Sequence, residues 1–259
     1  MLKARLIVSV LAVLALSSLS CRSSPEPTEE VDPQAGLTGD RIPTSQGNLV
    51  VHPINHATFF MNWSGRTLYF DPVGDSAAYQ GLPPPDVIFV TDIHSDHLSA
   101  QTLKALVQSG TVIVAPQAVQ AQLPADLQAL TRVLANGETT TVMDIPVQAL
   151  PMYNLTQERL QFHTRGRGNG YLLTLGNQRV YVAGDTEDIP EMRALSGVGV
   201  AFIPMNLPYT MTVNQAADAV RAFKPAIVYP YHSRGSDLAE FTRLVGTDAG
   251  VEVRVRNWY

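Results

Sequence analysis

Seven residues constrain this chain more than any others: Thr91-Asp92-Ile93-His94-Ser95-Asp96-His97, directly after the apolar run Val87-Ile88-Phe89-Val90. The apolar run reads as a buried strand. Four side chains able to bind a metal then fall within six residues, Asp92 to His97. Imidazole and carboxylate are ligands that zinc, iron and manganese accept. In an extended segment, residues two apart point the same way. Asp92, His94 and Asp96 can therefore converge, while His97 turns away toward a neighbouring ion. Whatever fold the chain adopts has to carry a cation site at the end of a buried strand.

Other residues point to the same place. Of six histidines, His56, His94, His97, His163 and His232 each stand where a strand ends. Asp185, in Gly184-Asp185-Thr186, follows the strand Val180-Tyr181-Val182-Ala183, and His232 follows Ile227-Val228-Tyr229-Pro230-Tyr231. A single histidine is most simply a hydrogen-bonded core or surface residue. The set, on loops held by rigid strands, reads as a metal site.

The order of elements sets the architecture. Strands are expected over 48–54, 57–63 and 66–71, the last two joined by a hairpin turn at Ser64-Gly65. A strand over 87–90, a helix over 98–108, a strand over 111–115 and a weaker helix over 117–130 follow. The second half repeats this texture, with a hairpin over 171–183 turning at Gly176-Asn177. A short helix over 190–195 and a strand over 200–204 come next. Thr212 then caps a helix with Ala216, Val220 and Phe223 on one face. A strand over 226–229, a helix over 237–244 and a strand over 251–255 complete it. Two mixed sheets packed face to face, with helices outside, satisfy that order. With 259 residues, 45% of them hydrophobic, the chain can build one large α/β domain or two small ones. A net charge of -5 without a basic stripe excludes nucleic acid as the expected partner.

Residues 1–20 read as an export signal: Lys3 and Arg5, an apolar stretch over 6–16, then small residues. Cys21 is the sole cysteine, which excludes an internal disulfide and, from its position, thiol catalysis. It resembles the acylated cysteine of bacterial lipoproteins, although Leu19 stands two residues before it rather than three. Residues 21–46, rich in Ser, Pro, Glu and Gly, read as a disordered tether, and the folded domain as 47–259. The expectation is an exported, membrane-anchored lipoprotein facing the periplasm or cell exterior.

The segments Asn55-His56-Ala57, Tyr69-Phe70-Asp71-Pro72, His94-Ser95-Asp96-His97, Gly184-Asp185-Thr186 and Tyr229-Pro230-Tyr231-His232 together resemble the metallo-β-lactamase superfamily. The branch most similar in texture holds L-ascorbate-6-phosphate lactonase and N-acyl phosphatidylethanolamine phospholipase D. The resemblance implies an α/β fold, a four-layer αββα sandwich of two mixed sheets flanked by helices. It implies one or two divalent ions (zinc or manganese, or iron), with His94 on the first, Asp96, His97 and His232 on the second, and Asp185 bridging. His163 corresponds to the distant histidine. Asp92 stands where the family has its first histidine; it is either a harder ligand or an acceptor behind one. His56 and Asp71 are expected beside the metals as support or substrate contacts. Arg165 and Arg167, among glycines, are either anion holders or a solvated approach to a hairpin.

The resemblance implies a hydrolase that attacks an ester, lactone or phosphodiester with a metal-activated hydroxide, Asp96 and Asp185 orienting the nucleophile and moving its proton. The substrate class is a small molecule or a lipid. The alternative is a membrane-tethered metal-binding protein without hydrolytic activity. The anchor has a direct test: Cys21→Ser is expected to move the protein from the membrane fraction to the soluble fraction on ultracentrifugation, and retention on membranes would rule the anchor out.

Overall fold

Short apolar runs in each half of the chain, buried on both faces, produce a sheet. In the computed structural model, which describes residues 34–259, the first sheet runs in chain order. It comprises β1 (Asp40–Thr44), β2 (Gly47–Asn55), β3 (Thr58–Trp63), β4 (Arg66–Phe70), β5 (Val87–Phe89), β6 (Val112–Ala115) and β7 (Thr131–Val133). β1 to β4 pair antiparallel, and β4 to β7 pair parallel. The second sheet repeats this plan with β8 (Thr139–Val142), β9 (Ile145–Met152), β10 (Gly168–Leu175), β11 (Gln178–Val182), β12 (Val200–Pro204), β13 (Ile227–Tyr231) and β14 (Glu252–Val253). β8 to β11 are antiparallel and β11 to β14 parallel.

Period-2 alternation decides the layers. Phe59, Phe70 and Phe89 of the first sheet meet Phe202, Tyr229 and Tyr231 of the second in the central core, with Trp258 among them. Phe59 stacks on Phe70 at 4.6 Å and on Phe202 at 4.3 Å. Their chain neighbours Phe60, Tyr69 and Ile88 face outward, beneath α1 (Ala100–Leu106), α2 (Gln117–Gln120) and α3 (Ala125–Gln128). On the far side Ala201, Ile203 and Val228 lie beneath α4 (Pro190–Arg193), α5 (Val213–Phe223) and α6 (Leu238–Val245). The result is the expected αββα sandwich. α5 has the full capping box, Thr212 with Gln215.

Three expectations need correction. The sheet starts at Asp40, inside the stretch read as tether: Ile42 of β1 is buried, and Asp40 Oδ2 accepts from Tyr229 Oη at 2.7 Å and Arg256 Nε at 2.9 Å. Polar composition hid this edge strand, and the side-chain partners of Asp40 lie near the other end of the sequence. The helix over 117–130 is two short helices, because Pro124 has an extended backbone and caps the second. Finally, β7, β8 and β9 escaped notice. Their turn, Met143-Asp144, takes positive φ (46° and 65°) without a glycine, so the usual hairpin signal is missing. Residues 1–33, with Cys21 and the export signal, lie outside the described residues.

Asp40 therefore fastens β1 to the second sheet. Burial opposes its ionisation, but Arg256 and Tyr229 prevail and hold the carboxyl below its ordinary value. Hydrogen bonds to charged groups contribute about 1.5–3 kcal/mol, so Asp40→Ala is expected to lower stability by about 1–3 kcal/mol in urea unfolding at pH 7. The contribution is present above the unfolded carboxyl value of ~3.9 and is lost as pH falls through the lower folded one. The gap between variant and wild type should close in acid.

Candidate metal centre

The parallel strands of both sheets end on one rim, and the expected residues hang from that rim. Asp71 follows β4, the segment Thr91 to His97 follows β5, Asp185 follows β11 and His232 follows β13. His56 sits in the turn between β2 and β3, and His163 in the connection from β9 to β10. Loops at the carboxyl ends of strands are where open α/β sheets bind ligands.

Two groups of side chains converge there. Asp96, His97, Asp185 and His232 each offer a ligand atom, all within 4.8 Å of one another, and Asp92, His94 and His163 do the same. Oδ2 of Asp185 is the common point. It lies 3.2 Å from His97 Nε2, 3.3 Å from His163 Nε2 and 3.3 Å from His232 Nε2. Burial works against a charged Asp185, but the facing imidazoles of His232 and His97 hold it well below the usual carboxylate range.

Each imidazole is aimed by its other nitrogen or by its backbone. His97 Nδ1 donates to Asp71 Oδ2 at 2.8 Å, which turns Nε2 toward the centre. Asp71 is itself held by Thr91, whose N–H donates to Oδ1 and whose hydroxyl donates to Oδ2, both at 2.7 Å. His163 Nδ1 donates to the Tyr209 carbonyl at 3.2 Å, freeing Nε2 for the centre. His56 Nε2 and His232 Nε2 both lie 3.2 Å from Asp96 Oδ2, and the two rings pack at 3.8 Å. Despite burial, these contacts hold the Asp96 carboxyl below its ordinary range. His56, Asp71 and His232 have positive φ (54°, 43° and 44°), a region costly for residues other than glycine.

A cation fits these residues. His97 Nε2 and His163 Nε2, both aimed at the centre, are buried atoms without a hydrogen-bond partner among the described residues, as is Asp185 Oδ1, and His232 Nε2 faces the same point. Buried polar atoms are ordinarily paired. Nitrogen and carboxylate oxygen are donors that zinc, manganese and iron accept.

Asp92 is placed differently. It is fully buried, and Arg167 grips both of its oxygens, Nε to Oδ1 at 3.0 Å and Nη2 to Oδ2 at 2.6 Å. Arg165 points elsewhere, to Glu191 at 2.6 Å. The two arginines thus have carboxylate partners within the chain. The glycines beside them serve packing: a Cβ on Gly168 would stand 2.8 Å from the Thr91 carbonyl, and one on Gly170 2.8 Å from that of Ala183.

Four residues had no role assigned to them from the sequence. Tyr259 Oη lies 3.0 Å from His56 Nδ1 and accepts from Ser233 N–H at 2.8 Å. Buried Glu187 accepts from the N–H groups of Leu155 and Thr156, both at 2.6 Å, and pins the loop that carries His163. Asn154 donates to the Tyr209 carbonyl at 2.7 Å and joins the two loops. Arg234 lines the cleft above the centre. Only Arg234 and Glu187 carried a signal, each being two residues from an expected ligand.

A family profile, the Beta-lactamase superfamily domain, matches residues 51–232. The chain belongs to the metallo-β-lactamase superfamily. A metal-dependent hydrolase of the UPF0173 group from Pyrococcus abyssi (strain GE5 / Orsay) is 28% identical over 214 residues, 77% of this chain and 93% of that protein. A solved structure of a proposed metal-dependent hydrolase from Parabacteroides distasonis ATCC 8503 is 39% identical, with TM-score 0.78, covering 85% of this chain and 98% of that one. The metallo hydrolase Igni18 of Ignicoccus hospitalis KIN4/I shares the fold, at 21% identity and TM-score 0.68 over 81% of this chain and 95% of its own.

Burial disfavours a charged His97, but Asp185 and Asp71 on its two nitrogens raise it well above the usual imidazole value. A cation must displace the Nε2 proton, so affinity should rise with pH. Asp71→Asn removes the carboxylate behind His97 and is expected to weaken manganese or zinc binding about 10–100-fold and to flatten that pH dependence, as read by isothermal titration calorimetry.

Proposed function

We propose that this metal-dependent hydrolase cleaves an ester, lactone or phosphodiester in a small or lipid-derived substrate. The supporting observation is the meeting of partnerless buried donors from both sheets at the floor of a cleft of about 620 Å³. Asp96, His97, Asp185 and His232 would hold a divalent ion, zinc or manganese suiting two imidazoles and two carboxylates. When bound, such an ion acidifies water and polarises a carbonyl or phosphoryl oxygen.

The chain's own groups do the rest. Asp96 is partly exposed to the cleft, with Oδ2 fixed by His56 and His232. It orients the attacking water and takes its proton. Tyr259 and His56 form the hydrogen-bonded line behind it. Arg234 has no carboxylate partner among the described residues and packs over the Tyr259 ring at 4.8 Å; it meets an anionic group of the substrate. Phe162 and Tyr209, edge to face at 5.0 Å, give the cleft an apolar wall. Leu207 and Tyr209 are exposed on one bounding loop, and Leu155 and Leu160 on the loop with His163. Such a mouth accepts an acyl or other apolar portion, and suits a domain tethered at a membrane through Cys21.

A panel of lactones, carboxylic esters and phosphodiesters, run with and without chelator, tests the reading. Activity should vanish with chelator and return with manganese or zinc. Asp185→Ala should lower kcat/KM by at least about a thousandfold, as expected when a group central to transition-state stabilisation is lost. Arg234→Ala should raise KM for anionic substrates alone. A chain that holds metal but turns over nothing on the panel would instead be a binding protein.

A further inference from the structure

We propose that the Arg167 guanidinium stands where a first metal ion would sit, so that the chain carries a single divalent ion, held by Asp96, His97, Asp185 and His232. This rests on the hydrolase reading and narrows it to a mononuclear centre.

The two converging groups differ in how their donors are used. In the group Asp92, His94 and His163, the Arg167 fork takes both oxygens of Asp92. His94 Nδ1 lies 2.9 Å from Asp92 Oδ2, and His94 Nε2 lies 3.3 Å from Arg167 Nη2. Both of its ring nitrogens therefore already face polar partners. Arg167 Nη2 also donates to the Phe162 carbonyl at 2.6 Å, which fixes the guanidinium in place. Only His163 Nε2 is left without a hydrogen bond. In the group Asp96, His97, Asp185 and His232, His97 Nε2 and Asp185 Oδ1 are both buried and partnerless, and no arginine or lysine contacts these four side chains among the described residues.

Charge supports the same division. A buried carboxylate needs a compensating cation, and Arg167 supplies it in the bidentate geometry that binds most firmly. A dication entering among Asp92, His94 and His163 would break that fork and then sit against a guanidinium that cannot lose its proton. His94, its side chain 38% exposed and lining the cleft, is left to meet substrate. Arg167 is a positioning residue: it holds Asp92 and His94 and supplies a fixed positive charge beside the reaction centre.

Manganese alone is a sufficient probe. Metal-stripped wild-type protein, loaded with excess manganese and dialysed, should retain about one ion per chain by elemental analysis. Its electron paramagnetic resonance spectrum should be an uncoupled sextet, without the exchange-coupled lines of a manganese pair. Arg167→Ala, which leaves Asp92 unpaired, should take up a second ion and acquire the coupled spectrum. The double variant Asp92→Asn with Arg167→Gln, neutral at both positions, should stay at one. Two ions and a coupled spectrum in the wild type would overturn the proposal and leave the hydrolase reading intact, as would Arg167→Ala remaining at one. Wild-type protein that retains no manganese and no zinc would overturn both. Where Arg167→Ala fails to fold, the wild-type spectrum decides.

Discussion

Three imidazole nitrogens crowd one carboxylate oxygen, and the structure around them exists to keep that arrangement in place. Asp185 Oδ2 is within 3.3 Å of His97, His163 and His232. Taking ionisable groups out of water is costly unless they are paired and aimed. Here aiming is delegated outward: Asp71 and Thr91 behind His97, the Tyr209 carbonyl behind His163, and Tyr231 Oη, which accepts from Gly184 N–H at 3.0 Å, just before Asp185. Removing any one member leaves another buried polar group without its counterpart.

The two sheets make such crowding possible. Each ends its parallel strands on the same rim, so residues far apart in sequence need only short loops to meet. The aromatic layer between the sheets, Phe59 against Phe202 and Phe89 against Tyr171, holds the rims in register. Asn169 N–H donates to the Thr91 carbonyl at 2.9 Å, which joins the sheets directly beneath the site. The close approach depends on Gly168, where a Cβ would stand 2.8 Å from the Thr91 carbonyl.

Much of this was legible in the sequence because the signals were local. Short apolar runs bounded by turn residues revealed the strands from β2 to β6 and from β10 to β14, and metal-binding side chains at strand ends marked the rim. The rest depended on partners distant in sequence. Nothing near Asp40 announces Tyr229 or Arg256, so an edge strand looked like tether. Nothing near Asp92 announces Arg167, seventy-five positions later, so the sequence left this carboxylate open as a ligand or as an acceptor behind one. Asp71 behind His97 was readable only through the family resemblance. Tyr259 was not readable at all, since a phenol reaching His56 leaves no pattern in composition or spacing.

His56, Asp71 and His232 combine a left-handed backbone with a role at the centre. Few residue types tolerate that backbone, chiefly Gly, Asn, Asp and His. Mutational drift at these three sites therefore passes through a narrow gate before chemistry is considered. Exchange to glycine relaxes the main chain and forfeits the side chain, while valine or isoleucine fails on shape alone. The repertoire of donors that this rim can ever display is set as much by torsion angles as by the cation it serves.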